Sequence, residues 1–306
     1  MRDVLEMVRD GLAPHYMVER EIGAGGMARV YLALERSPPR KVAVKVMMPS
    51  LNSAAFRARF TREIELTSVL QHPYIVPILA AEECLFVPDA PDDLCYYVMP
   101  YVEGESLRQR LIREKRLPLA EALKITREVA EALHFAHGRQ IIHRDLKPEN
   151  ILLDGTHAFL ADFGVARAIS VAQPDLSLTS EGVVVGSLAY MSPEQMAGKG
   201  LLDARTDIYA LGCVFHEMIT GTAPLMTVAS SPKTGLPVFR RALMDQGIGR
   251  AEVRGLELVI CRALCPEPDQ RYSSVEEFVA GLERACRPGL RDRLAALFVK
   301  RGGRRD

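Results

Sequence analysis

Along the first hundred residues, apolar and polar positions alternate in short runs, which is the period of a β-strand. In the clearest run, residues 42–47, Ala43 and Lys45 share one predicted face and three valines share the other. One segment has the helical period instead, with large apolar residues at four-residue steps. These residues are Phe56, Phe60 and Ile64. The pattern predicts a twisted sheet with one main helix across residues 16–99.

From residue 105 onward, apolar residues recur at the three- and four-residue spacing of amphipathic helices. The longest pattern, from Leu119 to Ala136, predicts a helix with one buried face. Other helices are predicted near 207–220, 250–264 and 274–286. Ser274 and Glu277 have the spacing of a capping box at the start of the last one. This half of the chain is therefore predicted to be mostly helical.

The segment from Glu82 to Asp93 contains prolines and aspartates, and it predicts a hairpin loop before a strand over Leu94–Met99. A short hinge is predicted where the strand pattern gives way to the helical one. A cleft at such a junction is the usual place for a ligand. The predicted parts are a helical lead-in at 1–15, a sheet lobe at 16–99, a hinge at 100–104, a helical lobe at 105–286 and a tail at 287–306.

The composition is that of a folded globular protein, since 48% of the 306 residues are hydrophobic. Lys plus Arg and Asp plus Glu both number 39, so no overall field favours nucleic acid as a partner. The chain has no apolar run of 18 residues and no apolar N-terminal run, so the sequence predicts neither a transmembrane segment nor a signal peptide. Six Cys without a CxxC pair predict buried thiols in a reducing compartment, and we expect a cytoplasmic protein.

Candidate chemistry is concentrated in two short motifs. His143–Asn150 reads HRDLKPEN, and Asp162-Phe163-Gly164 begins twelve residues after it. A turn that carries Asp145, Lys147 and Asn150 holds a base, a cation and a neutral oxygen ligand close together. Phosphoryl transfer needs a base for the proton of the attacking hydroxyl, a cation for the phosphoryl charge and oxygen ligands for a metal ion.

These motifs resemble the catalytic loop and the metal-binding motif of the eukaryotic-like (Hanks-type) protein kinases, and they are closest to the bacterial serine/threonine branch. The resemblance covers residues 16–286. It implies an α+β, two-lobed fold, in which a twisted antiparallel sheet with one main helix and a mostly helical C-terminal lobe enclose a nucleotide cleft. It also implies transfer of the γ-phosphoryl group of ATP, with Mg²⁺ or Mn²⁺, to Ser and Thr hydroxyl groups of protein substrates.

Residues 22–31 read IGAGGMARVY, and their glycines allow backbone N–H groups to approach phosphate oxygens closely. Alone, such a loop also fits a flexible turn or, if a helix followed, a dinucleotide site. A strand follows instead, with Lys45 farther along, as in the kinases. The third glycine of the family is Ala28 here, and we expect nucleotide binding to survive that methyl group.

The resemblance implies that Lys45 binds the α- and β-phosphates and pairs with Glu63 of the main helix. Met99 would be the gatekeeper of the back pocket, and adenine would bond to the backbone of Pro100 and Val102. The implied nucleotide-binding set is Ile22, Gly23, Ala24, Gly25, Gly26, Val30, Ala43, Lys45, Glu63, Met99, Pro100, Val102, Asn150 and Asp162.

On the catalytic side, the resemblance implies that Asp145 orients and deprotonates the substrate hydroxyl group. Lys147 would contact the γ-phosphate, and the lysine at this position is typical of the Ser/Thr branch. Asn150 and Asp162 are the implied metal ligands.

Three charged residues outside the two motifs match structural positions of the family. Asp207 is expected to tether the backbone of the catalytic turn. Glu194 is expected to pair with Arg271 in the helical lobe. Neither carboxylate is expected to take part in the chemistry.

The segment between Asp162 and Glu194 carries several hydroxyl side chains: Ser170, Ser177, Thr179, Ser180 and Ser187. A phosphate of about −2 charge on one of them would be attracted to Arg144 and would order the segment. We expect autophosphorylation at Ser177, Thr179 or Ser180, through a transient dimer of kinase domains. Ordinary loop hydroxyls are the alternative interpretation.

Two other classes of protein stay open on the sequence. A pseudokinase scaffold would have the same fold, but such proteins tend to lack the base, the metal ligand or the strand lysine, all of which are present here. A small-molecule phosphotransferase would not need the peptide-positioning segment at 186–194. The tail at 287–306 has seven basic and two acidic residues, a net charge of +5. A juxtamembrane segment of a longer receptor kinase, a peripheral contact with acidic lipid and a solvated tail all fit that charge.

Overall fold

The computed structural model of the protein describes residues 4–25, 28–47, 54–85, 94–163, 188–198, 202–224 and 236–286. Five antiparallel strands form the N-terminal sheet in the order β1-β2-β3-β5-β4. They are β1 (Tyr16–Ala24), β2 (Ala28–Arg36), β3 (Pro39–Met47), β4 (Ala80–Leu85) and β5 (Leu94–Pro100). Two helices accompany this sheet, namely α1 (Val4–Leu12) and α2 (Ala54–Ser68).

The described part of the second lobe is mostly helical, with one small sheet. Its helices are α3 (Leu107–Glu114), α4 (Leu119–His137), α5 (Pro193–Met196), α6 (Arg205–Thr220), α7 (Pro237–Asp245), α8 (Arg250–Ala263) and α9 (Val275–Ala285). Its strands are β6 (Glu105–Ser106), β7 (Ile151–Leu153) and β8 (Ala158–Leu160). Residues 101–104 connect β5 of the first lobe to β6 of the second.

The two faces of the N-terminal sheet pack against different helices, because successive side chains of a strand point to opposite sides. On the outer face, the valines of β3 pack with Val8 and Leu12 of α1. On the inner face, Ala43 packs with Phe56 and Phe60 of α2. Lys45 shares the inner face with Ala43, as the alternation predicts, and its contact with Asp162 shows that this face is turned toward the other lobe.

Helix α6 lies at the centre of the second lobe, and all of its residues from Thr206 to Ile219 are buried. It packs against α4, α7, α8 and α9 in one continuous hydrophobic cluster. Gly212 suits this close packing, because a methyl group there would lie 3.1 Å from the Cβ of Ala263, closer than most Cβ contacts. The buried carboxylate of Asp207, in the first turn of α6, thereby has a fixed position.

Most predicted elements are present, with differences at their ends. Strand β4 continues to Leu85, into the segment expected to be a loop, because its backbone still pairs with β5. Ser274 caps α9 as predicted, by accepting a hydrogen bond from Glu277 N. The Glu277 carboxylate bonds to Ser273 N instead of closing the capping box on Ser274. None of the helices in the described ranges is both long and apolar enough to span a membrane.

Candidate active site

The turn between α4 and β7 brings Asp145, Lys147 and Asn150 together. Lys147 Nζ lies 2.9 and 2.7 Å from the two carboxylate oxygens of Asp145. Asn150 Nδ2 donates to the carbonyl oxygen of Asp145 at 2.7 Å and to its Oδ2 at 3.1 Å. The Asp145 side chain is 29% exposed, so the carboxylate is oriented by two donors and is still accessible from the cleft. This geometry suits a base that must meet an incoming hydroxyl group.

The buried carboxylate of Asp207 holds the same turn through hydrogen bonds to its backbone. Its Oδ2 accepts from His143 N, and its Oδ1 accepts from Arg144 N, both at 2.8 Å. His137 Nε2 donates to Oδ2 at 2.8 Å. Burial opposes ionisation of Asp207, but the hydrogen bond and charge of His137 outweigh it, so the pKa lies below the ordinary value. The predicted tether is confirmed.

The two N–H donors that Asp207 binds explain the unusual backbone of the turn. Arg144 has a φ of 69°, in the left-handed region that a side chain disfavours. Such a conformation persists only where the surrounding structure holds it in place. Asp207 and Gln195, whose Nε2 donates to Arg144 O at 2.8 Å, do so here. The next residue, Asp145, is thereby presented to the cleft.

His143 joins the catalytic turn to the second motif. Its Nε2 donates to Ala161 O at 2.9 Å, and its Nδ1 accepts from Asp145 N at 3.3 Å. Its ring also meets the ring of Phe163 edge to face, with 4.6 Å between centroids. Because Ala161 and Phe163 flank Asp162, one buried imidazole sets the relative position of both candidate acidic groups.

Asp162 faces Lys45 across the cleft, and this ion pair joins the two lobes. Lys45 Nζ lies 2.6 Å from Asp162 Oδ2, and Tyr97 donates its hydroxyl proton to Asp162 Oδ1 at 2.5 Å. Burial opposes ionisation of Asp162, but the charge of Lys45 and the two hydrogen bonds outweigh it, so its pKa lies below the ordinary value. The carboxylate is therefore an anion that can bind a metal ion.

An apolar cluster on the inner face of the sheet includes Tyr97, which contacts Asp162. Several predicted nucleotide residues pack against or belong to this cluster, namely Ile22, Val30, Ala43, Met99 and Val102. Leu152 of β7 packs against it from the helical lobe. Gly25 N, directly after β1, donates to Ala28 O at 2.9 Å. Apolar side chains contributed by both lobes suit a planar aromatic base.

Three residues that contact the candidate site were not predicted from the sequence. Tyr97 and Leu152 look like ordinary strand residues there, because nothing local indicates that they face the cleft. Arg108 of α3 was missed as well. It bonds Glu149 Oε1 at 2.8 Å and Glu217 Oε1 at 2.7 Å, and so ties the end of the catalytic turn to α6. These partners are distant in sequence, and no spacing rule connects them.

The predicted pair of Glu194 and Arg271 is confirmed. Both oxygens of Glu194 accept from the Arg271 guanidinium at 2.7 Å, and the Arg271 side chain is fully buried. Burial opposes ionisation of Glu194, but the Arg271 hydrogen bonds outweigh it and its pKa is lowered. A two-point contact of this kind fixes α5, and with it the end of the segment that follows Asp162.

The oxygen atoms of the site fit a small divalent cation. Asn150 uses its Nδ2 for Asp145, which leaves the amide oxygen as its possible metal ligand beside the Asp162 carboxylate. In the part of the chain that the structure describes, no group of three or more His, Cys, Asp or Glu could hold a metal ion. Mg²⁺ characteristically takes one or two protein carboxylates and completes its shell with phosphate and water oxygens. A divalent cation that also binds nucleotide phosphate oxygens would suit these two ligands.

Several predicted residues lie outside the described residues. These are Gly26, Gly164, Ser170, Ser177, Thr179, Ser180, Ser187, the side chain of Glu63 and the tail at 287–306. The described ionic partner of Lys45 is Asp162, and the pairing of Lys45 with Glu63 stays a prediction. The assigned roles of the individual site residues likewise stay predictions.

The fold and the geometry of the site define the class of protein to which this chain belongs. Residues 16–280 match the family model described as "Protein kinase domain", and the chain belongs to the protein kinase family. The resemblance to the bacterial branch of that family and the predicted two-lobed fold are both confirmed.

Two relatives with similar sequences are bacterial serine/threonine-protein kinases. The chain is 37% identical to the serine/threonine-protein kinase PknB of Mycobacterium tuberculosis, over 89% of this chain and 43% of that protein. It is 36% identical to the serine/threonine-protein kinase PrkC of Bacillus subtilis, over 90% of this chain and 41% of that protein. The crystal structure of the PknI kinase domain of Mycobacterium tuberculosis has a TM-score of 0.66 and 28% identity, and the match covers 89% of this chain and 96% of that one. The chain thus spans about two fifths of the length of PknB and PrkC.

Proposed function

We propose that this protein transfers the γ-phosphoryl group of ATP to Ser and Thr hydroxyl groups of proteins. The observation that carries the proposal is the arrangement across the cleft. Asp145 is held by Lys147 and Asn150 on one side, and Asp162 is paired with Lys45 on the other. The serine/threonine kinases PknB and PrkC, which are similar over nine tenths of this chain, support the same activity.

Each group has one task in the proposed reaction. Asp145 accepts the proton of the substrate hydroxyl as its oxygen forms a bond to the γ-phosphorus, and the bond from that phosphorus to the ADP oxygen breaks. Lys147 offsets the charge that spreads over the phosphoryl oxygens, and Lys45 holds the α- and β-phosphates. When bound, Mg²⁺ offsets phosphate charge, and Asn150 and Asp162 would hold it.

The adenine would lie against the apolar side chains of Ala43 and Leu152, which belong to or pack against the same cluster, with the backbone of Pro100 and Val102 as its hydrogen-bond partners. Mn²⁺ would replace Mg²⁺ at the same oxygen ligands. We infer that the protein acts in the cytoplasm on protein substrates. The tail at 287–306 would add a peripheral contact with acidic lipid.

The same arrangement favours turnover over a silent scaffold. A scaffold needs neither an oriented base nor a metal ligand in the cleft, yet Asp145 is held by two donors and Asp162 is paired with Lys45. Protein substrates are favoured over small molecules by the Glu194–Arg271 pair, which fixes the end of the peptide-positioning segment.

Transfer of label from ATP to a generic basic protein, with Mg²⁺ or Mn²⁺, tests the proposal. Asp145→Asn is expected to lower turnover by at least about 100-fold, because a positioned base contributes that much or more. Lys45→Met is expected to abolish transfer through loss of the phosphate anchor. Activity within about tenfold of the parent in either variant would mean that the assigned roles are wrong.

The matched control is Asp245→Asn, which removes the same charge from a carboxylate that is 49% exposed at the end of α7. Its activity is expected to equal that of the parent. Far-ultraviolet circular dichroism of all three variants separates loss of catalysis from loss of the fold. A small-molecule acceptor assayed in parallel separates the protein kinase from the other phosphotransferases.

A further inference from the structure

Tyr97 lies against Asp162, and the proposed mechanism gives it no task. It stands on β5 directly opposite Lys45 of β3, with its side chain on the inner face of the sheet. The residue is 1% exposed, and a buried tyrosine hydroxyl usually needs a hydrogen-bond partner. The described partner is Asp162 Oδ1, at 2.5 Å.

Packing in the apolar cluster of the inner face holds the ring of Tyr97 in place. The ring of Phe60 in α2 packs against it, with 6.2 Å between centroids. Lys45 Nζ lies 5.9 Å from its centroid on the neighbouring strand. A packed aromatic ring has few alternative rotamers. The position of the hydroxyl is therefore set by the sheet and by α2, not by Asp162 itself.

The two donors on Asp162 differ in kind. Lys45 is a charged group on a flexible stem, and in the proposed function it must also reach the phosphates of the nucleotide. Tyr97 is neutral and rigid, and nothing in the reaction draws it away from Oδ1. One oxygen of Asp162 thus has an exchangeable partner, and the other has a permanent one.

We propose that Tyr97 is a positioning residue, whose hydroxyl keeps the Asp162 carboxylate in the orientation that binds the metal ion when Lys45 turns to the phosphates. The inference rests on the proposed function and adds a residue to it. Groups that hydrogen-bond a metal ligand from behind typically change metal affinity by about 10- to 100-fold when they are removed.

The test is ADP binding by calorimetry to the full 306-residue chain, once in EDTA and once in saturating Mg²⁺. The dissociation constant in EDTA divided by that in Mg²⁺ measures how strongly the metal ion and the nucleotide favour each other's binding. Tyr97→Phe is expected to lower that ratio at least about tenfold and to leave the affinity in EDTA within about twofold. Tyr97→Met, which also lacks the hydroxyl, is expected to give the same loss and guards against a folding defect in one variant.

The matched control is Tyr96→Phe, which removes a hydroxyl from the adjacent residue on the outer face of the sheet. It is expected to leave the ratio unchanged. In an Asp162→Asn background, Tyr97→Phe is expected to have no further effect, because Tyr97 acts through that carboxylate. An unchanged ratio in Tyr97→Phe, or an equal loss in Tyr96→Phe, would overturn the inference and leave the proposed function intact. A parent chain that binds no ADP would overturn both.

Discussion

Three aspartates near the cleft have different tasks because their partners differ. Asp145 is partly exposed and is bonded by Lys147 and Asn150, so it is oriented and still accessible. Asp162 is paired with a lysine and a tyrosine, which favours its ionised form. Asp207 is fully buried and accepts hydrogen bonds from two backbone N–H groups and from a histidine. At the scale of single residues, the environment and not the residue type assigns the role.

Asp207→Asn is expected to lower the free energy of unfolding at pH 7 by about 2–4 kcal/mol, since it removes the charged acceptor from buried N–H donors. The folded pKa of Asp207 is depressed, so its contribution is present above the unfolded value. That contribution is lost as the pH falls through the folded value. The advantage of the parent should therefore stay constant down to about pH 4 and shrink below it.

Urea unfolding of both proteins between pH 7 and pH 3 measures this difference. An advantage of the parent that stayed the same at pH 3 would contradict the assigned ionisation of Asp207. Activity should fall together with stability, because the same carboxylate holds Arg144 in its left-handed conformation.

At the scale of elements, α1 completes the sheet lobe. The outer face of the sheet is apolar, and Val8 and Leu12 of α1 pack onto it. Arg9 of the same helix donates to Val18 O at 3.2 Å and to Glu19 O at 2.7 Å, both on β1. The helix therefore belongs to the packed lobe, although the family model begins only at residue 16.

Leu12→Ala is expected to destabilise the protein by about 2–5 kcal/mol, the usual cost of removing a buried leucine side chain. Leu12 is 2% exposed, so nearly all of its side chain leaves water on folding. Ile112→Ala, in a residue that is 62% exposed, is the control and should change little. Thermal unfolding of both variants measures the loss of stability. Equal unfolding midpoints for Leu12→Ala and Ile112→Ala would show that α1 does not contribute to the packing of the lobe.

At the scale of the whole molecule, the two lobes are joined behind the cleft as well as across it. Val76 N donates to Leu160 O at 2.9 Å, and Leu160 N donates to Tyr74 O at 2.8 Å. These bonds connect the segment after α2 to β8, close to Asp162. The two lobes therefore have a backbone connection here in addition to residues 101–104, close to Asp162.

We expect autophosphorylation at Ser177, Thr179 or Ser180 to take place between two molecules that meet transiently. The active parent, mixed with an inactive Asp145→Asn chain that is distinguishable by mass, should place phosphate on the inactive chain. The rate per molecule should rise with protein concentration. Mass spectrometry of the peptides locates the sites. Phosphate confined to the parent, or no modified residue between 165 and 192 in an active sample, would contradict this expectation.

The sequence by itself determined the class, because two kinds of local signal are strong in it. Hydrophobic periodicity separates the sheet half from the helical half, since a strand and a helix expose different faces to the core. The two motifs at 143–150 and 162–164 name the candidate chemical groups, since their residues are a few positions apart. Alternation alone also placed Lys45 on the same face as Ala43, opposite the valines.

Only the tertiary structure decided the contacts that neither a local pattern nor the family resemblance predicts. The hydrogen bond of Tyr97 to Asp162 spans 65 positions of sequence, and the ion pair of Arg108 with Glu217 spans 109. Neither contact is indicated by a periodic pattern in the sequence, because each depends on the packing of several elements at once. The covering of the outer sheet face by α1 is of the same kind. Local patterns name the candidate groups, and long-range packing sets their partners, their orientation and their ionisation.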